Sequence, residues 1–129
     1  MLERIIAPGG PQPKGPYSHA VRAGDFIYVS GQAAINPQTN EFEVGTAAQE
    51  TRRTLDNIGS ILQAAGASFE DVVKCSVFLT DVRDFAEMNE VYSEYFGKAK
   101  PARTTVQATL PGRSIKVEID CVAYKPVNA

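Results

Sequence analysis

The chain has 129 residues, 43% of them hydrophobic and 22% charged, which suits one domain, 1–129, able to bury a core without a staple. Thirteen Lys and Arg against fifteen Asp and Glu leave a formal net charge of −2, so no bulk positive field draws a nucleic-acid backbone. No apolar run approaches the roughly 20 residues of a membrane span, and Met1-Leu2-Glu3-Arg4 opens no secretory signal, so a cytoplasmic protein without membrane or nucleic-acid partners is expected.

Residues 8–16, Pro-Gly-Gly-Pro-Gln-Pro-Lys-Gly-Pro, hold four of the eight prolines. Proline fixes φ and lacks a donor, so this stretch is neither helix nor central strand. It reads either as a stiff loop that delivers Tyr17 to a particular place or as a surface connector. Runs 17–23 and 26–35 around Gly24-Asp25 predict a hairpin, and 36–45 a loop. Thr46 and Gln49 have capping-box spacing. Ala48, Thr51, Leu55, Ile58, Leu62 and Ala65 recur at helical spacing, Glu50, Arg53, Asp56 and Gln63 lie mostly elsewhere, and Gly66 supplies a C-cap.

Residues 72–80 return to period two. A second helix is predicted over 84–96, apolar at Phe85, Met88, Tyr92 and Tyr95/Phe96, and stopped near Gly97 ahead of Pro101. Two strands, 102–109 and 115–124, joined through Pro111-Gly112, end the chain. The order β-β-α-β-α-β-β predicts an α+β sandwich with both helices on one face of a mostly antiparallel or mixed sheet. Cys75 and Cys121 fall in apolar strand runs and read as buried free thiols rather than a disulfide. One histidine is too few for a usual zinc site.

Alternation sorts Ile115, Val117, Ile119, Cys121 and Ala123 to the helix side of the last strand, and Lys116, Glu118, Asp120, Val122 and Tyr124 to the other. The preceding strand, read the same way, puts Val106 and Ala108 toward the helices and Arg103, Thr105 and Gln107 on the open face. With Phe26, Tyr28 and Phe78, that face is both polar and aromatic, which suggests burial against another copy of the chain. The alternative is a solvated face with scattered aromatics. Arg103 could bind a carboxylate through its planar fork, and Glu118 could exchange a proton if partly desolvated, although a structural ion pair is the commoner explanation of such residues. His19 reads as a satisfied structural residue. It follows Ser18 on a strand, where neighbours point oppositely, so no Ser–His nucleophile forms.

Gly15-Pro16-Tyr17-Ser18, Val29-Ser30-Gly31-Gln32, Asp56-Asn57-Ile58, Asp84-Phe85 with Met88-Asn89 and Tyr92, Pro101-Ala102-Arg103-Thr104-Thr105-Val106 and Val117-Glu118-Ile119 together resemble the Rid family (YjgF/RidA-type reactive intermediate deaminases) over nearly the whole chain. The resemblance implies a chorismate-mutase-like sandwich that trimerises through its sheets, with clefts between subunits. It also implies hydrolysis of 2-aminoacrylate- or 2-aminocrotonate-type enamines and imines to 2-keto acids and ammonia, with no cofactor or metal. On that likeness Arg103 clamps the substrate carboxylate and Glu118 holds the attacking water or shuttles its proton. Tyr17, Ser30 and Gly31 line the cleft, Thr105 stands near the imine, and Asn89 lies close by.

The chain departs from the family pattern at Thr105, where many members have Cys, and at His19, where Gln is commoner. The connections 97–101 and 109–114 look short. A 2-keto acid sensor or interaction protein on the same trimer is the alternative function, because fold does not fix function.

Overall fold

Gly24 has φ 63°, a left-handed conformation that glycine enters without a Cβ clash. It turns the chain between β2 (Ala20–Ala23) and β3 (Phe26–Gln32), and Ala23 pairs with Phe26 across the two-residue loop. The structure, a computed structural model, describes residues 2–111 and 114–127. The other elements are β1 (Leu2–Ile5), α1 (Ala47–Ala64), β4 (Val72–Leu79), α2 (Phe85–Phe96), β5 (Ala102–Gln107) and β6 (Val117–Tyr124).

The strands form one sheet in the order β1-β2-β3-β6-β4-β5. Only β4 and β5 run parallel, and α2 links them in sequence; the remaining pairs are antiparallel. Both helices pack on one face, giving the expected α+β sandwich on a mixed sheet. The strand β1 is absent from the sequence reading. Only Ile5 of its four residues is buried, so it carries no period-two signal. Strands predicted over 17–23, 26–35, 102–109 and 115–124 are shorter in the structure, and Gly112 of the predicted Pro111-Gly112 turn lies outside the described residues.

Helix α1 begins where its capping box predicts. Thr46 Oγ1 accepts from the Gln49 N–H at 3.1 Å, and Gln49 Oε1 accepts from the Thr46 N–H at 3.0 Å. It ends in a Schellman motif around Gly66, φ 83°, with the Ala67 N–H on the Leu62 carbonyl at 2.8 Å and the Gly66 N–H on the Gln63 carbonyl at 3.0 Å. Leu55, Ile58, Ile61 and Leu62 of α1 and Met88 and Phe96 of α2 meet Ile27, Val77, Leu79, Val117 and Ile119 of the sheet in the core. Each such side chain contributes roughly 1.5–3 kcal/mol by leaving water.

Two sequence expectations need correction. Glu50, grouped by period with the polar positions, is fully buried, because its carboxylate satisfies backbone donors of loops that fold over α1. More consequentially, β5 has the opposite facing. Arg103 is in register with Cys75, Thr105 with Val77 and Gln107 with Leu79, whereas Val106 matches Phe78. Neighbours in parallel register point to the same side, so Arg103, Thr105 and Gln107 lie on the helix side and Val106 on the open face. The assumption that polar residues mark the open face fails because β5 is an edge strand, with helix-side positions at the rim of the core. The open face carries Tyr28, Phe26, Tyr124 and Val106 at 50%, 41%, 44% and 44% exposure, side by side with Glu118, Asp120, Lys74 and Ser76.

Replacing Thr46 by Ala removes one half of the capping box and should cost about 1 kcal/mol, read as a lower urea midpoint at unchanged slope. An unchanged midpoint would show that the box contributes nothing to stability.

Candidate functional site

The register between β3 and β6 slips between Val29, opposite Cys121, and Gln32, opposite Ile119. One extra residue therefore bulges from β3 at Ser30-Gly31, next to Glu118, and bulges of this kind re-aim side chains. At Gly31 any Cβ would overlap Glu118 Oε2 and lie 3.1 Å from its Cδ, so glycine is what lets the carboxylate rest there. The Ser30 hydroxyl donates to the Ser18 carbonyl at 2.6 Å, and the Ser30 N–H to the His19 carbonyl at 2.9 Å. Both bonds tie the bulge to the segment that delivers Tyr17.

Glu118 and Gly31 border a cavity of about 410 Å³ that Tyr17, Lys14, Gln32 and Phe42 also line. Its outer wall is the proline-rich loop, and of the two readings of that loop the structure supports the pinned one. The Gln12 N–H donates to Asn40 Oδ1 at 2.9 Å, Lys14 Nζ to the Asn40 carbonyl at 3.0 Å, and the Lys14 N–H to the Tyr17 hydroxyl at 3.3 Å. Lys14 Nζ also sits 5.6 Å from the centre of the Phe42 ring. Burial, and after it the charge of Asp120 two residues along the same face, push the Glu118 carboxyl above its ordinary value of 4.5. His19 is buried, with both ring nitrogens bonded to backbone, the satisfied structural role its sequence context suggests.

Arg103 lies elsewhere, at the rim between β5 and α2. Its guanidinium donates to Asn89 Oδ1 at 2.7 Å and stacks over Tyr92, 4.6 Å from the ring centre, with Phe85 at 5.5 Å. Asn89 is thus the partner that orients the fork, leaving other N–H groups of the guanidinium available. Burial, then Cys75, push the Tyr92 phenol well up, so the ring beneath the cation stays neutral. Thr105 lies on the same side as Arg103, and its Oγ1 is buried without a partner.

The structure therefore brings Glu118, Gly31 and Tyr17 together, and Arg103, Asn89 and Thr105 together, but places the two groups on opposite faces of one sheet. The sequence reading puts Arg103 and Glu118 on one face; the β5 register overturns that. Sequence reasoning also missed Lys14, Gln32 and Phe42 as cavity residues, and it gave Tyr92, an apolar helix position and a motif residue, no place beside Arg103. No local spacing could have found Lys14 and Phe42, because loops 11–14 and 35–42 meet the sheet only on folding. Cys75 and Cys121 face each other across β4 and β6 as buried free thiols, and burial pushes both up. Among the described residues no group of three or more His, Cys, Asp or Glu could hold a metal ion.

The family described as Endoribonuclease L-PSP matches residues 9–125. A RutC family protein of Pyrococcus horikoshii is 47% identical over 97% of this chain and 99% of its own length. The chloroplastic Reactive Intermediate Deaminase A of Arabidopsis thaliana is 38% identical over 94% of this chain and 65% of its own. Among solved structures, E. coli TdcF with bound serine superposes with a TM-score of 0.88 at 36% identity, over 95% of this chain and 98% of that one. Likeness of this extent, in sequence and in fold, makes the chain a member of the Rid (YjgF/RidA) family.

Proposed function

We propose that the protein is a hydrolytic deaminase that converts small 2-amino acid enamines and imines to 2-keto acids and ammonia, at sites completed between subunits of a homotrimer. The observation that carries this reading is the division of the site. A fork suited to a carboxylate and a carboxyl suited to proton transfer sit on opposite faces of one sheet, where no three- or four-carbon molecule touches both. A neighbouring copy seated on the open face can bring its Arg103 rim to the Glu118 cavity. The relative named as a reactive intermediate deaminase, and the amino acid bound in the TdcF structure, support a small substrate carrying a carboxylate.

The chemistry needs little. Arg103, oriented by Asn89 and Tyr92, grips the carboxylate through two parallel hydrogen bonds. An enamine first takes a proton at its β-carbon and gives one up from nitrogen, becoming the imine. Glu118 accepts a proton from water as the water oxygen bonds to the imine carbon and the C=N electron pair moves to nitrogen, and Glu118 then passes that proton to the nitrogen. Collapse of the carbinolamine re-forms a carbonyl as the C–N bond breaks and ammonia leaves. Tyr17 and Gly31 shape the cavity wall, Ser30 holds the bulge, and Thr105 offers its unpartnered hydroxyl beside Arg103. Most of the acceleration comes from holding carboxylate and water in line. The net charge of −2 weighs against an RNA substrate.

Light scattering at micromolar concentration should give about three times the 13.9 kDa chain mass; a stable monomer would remove the shared site.

In a coupled assay with a serine or threonine dehydratase, Glu118→Gln should lower turnover by about 10²–10⁴, with 2-keto acid binding nearly unchanged. Arg103→Ala should reduce binding and turnover together, and Arg103→Lys restore them only in part. Full activity of Glu118→Gln sinks the proton-transfer role. Binding through Arg103 without any acceleration by the wild-type protein would make it a 2-keto acid sensor.

The pH profile carries a sign. Glu118 acts as a base only when ionised, and its proton is held above the ordinary carboxyl value, so turnover should rise with pH through that raised value. Asp120→Asn removes a like charge and should shift this limb to lower pH. A shift to higher pH would contradict the assigned cause.

A further inference from the structure

We propose that His19 is a positioning residue for this reaction: its neutral form clamps the proline-rich loop that walls the Glu118 cavity, and its protonation releases that loop. The functional side of the proposal rests on the deaminase reading. Its physical side stands on the hydrogen bonds. The Ala7 N–H donates to Nδ1 at 2.9 Å, and Nε2–H donates to the Pro11 carbonyl. Nδ1 must therefore carry a lone pair, which only the neutral tautomer protonated at Nε2 provides. The ring is 2% exposed and packs against Gly10, where an added Cβ would lie 3.2 Å from its Cε1. It bridges to both ends of the segment from Ala7 to Pro11, which prolines deprive of a backbone ladder, while its own carbonyl holds Ser30 of the bulge.

Protonation puts a second N–H at Nδ1, pointing at the Ala7 N–H. Two donors cannot share that position, so the ring or the loop must turn away, and a buried donor loses its acceptor. The charged and titratable groups lining the same cavity are Lys14 of the loop, Tyr17 ahead of β2, and Glu118 of β6; β3 contributes only the uncharged Gly31 and Gln32. None of them bonds to either ring nitrogen. A loosened loop moves Lys14 and Tyr17 away from the cavity, so loss of the clamp acts on substrate positioning.

His19→Gln separates the clamp from the charge. An amide can accept from the Ala7 N–H and donate to the Pro11 carbonyl at any pH. As the pH is lowered from 8, the ratio of kcat/KM for His19→Gln to that for the wild type should rise about tenfold, the scale of leaving one buried donor without its acceptor. The Glu118 limb is common to both proteins and cancels in the ratio. In nitrogen-15 spectra the wild-type Ala7 amide should shift with the same midpoint as the single histidine ring, and the corresponding amide of His19→Gln should stay still. Parallel rate profiles with a stationary Ala7 amide overturn the proposal. If the wild type accelerates no imine hydrolysis, the deaminase reading fails by itself, and the amide titration still decides whether His19 clamps the loop. Should His19→Gln not fold, the wild-type spectra decide alone: differing midpoints for ring and amide overturn the clamp, and a common midpoint supports it.

Discussion

The alternation of one strand, β6, governs the architecture and the chemistry together. It is paired on both sides, by β3 and β4, so its backbone cannot twist out of register without breaking two ladders. Val117, Ile119, Cys121 and Ala123 are buried under the helices, which commits Glu118 and Asp120 to the other face. A one-residue slip would bury two carboxylates and expose four apolar side chains. Glu118 thus owes its place to the hydrophobic effect acting on its neighbours. The bulge at Ser30-Gly31 then gives it room, and half-burial beside Asp120 adjusts its proton affinity.

Arg103 follows a different logic. An edge strand has a partner on one side only, and at this edge the helix layer ends in Asn89, Tyr92 and Phe85. A long side chain there can lay its stem against the core rim and keep its charged head near water. Ring and amide together hold the guanidinium in a defined plane. Edge position, burial rim and aromatic platform give a fixed orientation to a charged residue that interior placement would have made costly.

Buried polar groups fasten the irregular segments that a hydrophobic core cannot hold. Glu50 is fully buried. It accepts from the Lys116 N–H at 2.7 Å and the Gly45 N–H at 3.2 Å, joining the entry to β6 to the loop before α1. Asn57 Nδ2 donates to the Ile35 carbonyl at 2.9 Å and the Ala33 carbonyl at 3.3 Å, and His19 performs the same service for the proline-rich loop. Each satisfies donors or acceptors that loops would otherwise leave unpaired under cover. The loops around the cavity are consequently held by three polar side chains, two from α1 and one from the segment just before β2.

Both helices, the hairpin, the strands of the core and the α+β class were legible in the amino-acid order, because those signals are local: a 3.6 or 2.0 period, a capping box, a Gly-Asp turn. The motifs around Tyr17, Ser30, Gly31, Arg103 and Glu118 were legible through their resemblance to the Rid family, motif by motif. Where period and burial part company, the sequence was silent or misleading. Strand β1 shows one buried residue in four, Glu50 is buried by bonds from distant loops, and β5 reverses its facing because an edge strand places polar residues at the core rim. Tertiary structure alone decided that Arg103 and Glu118 occupy opposite faces, since parallel register with β4 depends on how α2 returns the chain. It also decided which loops close the cavity, because those contacts join residues far apart in sequence, and no local spacing records them.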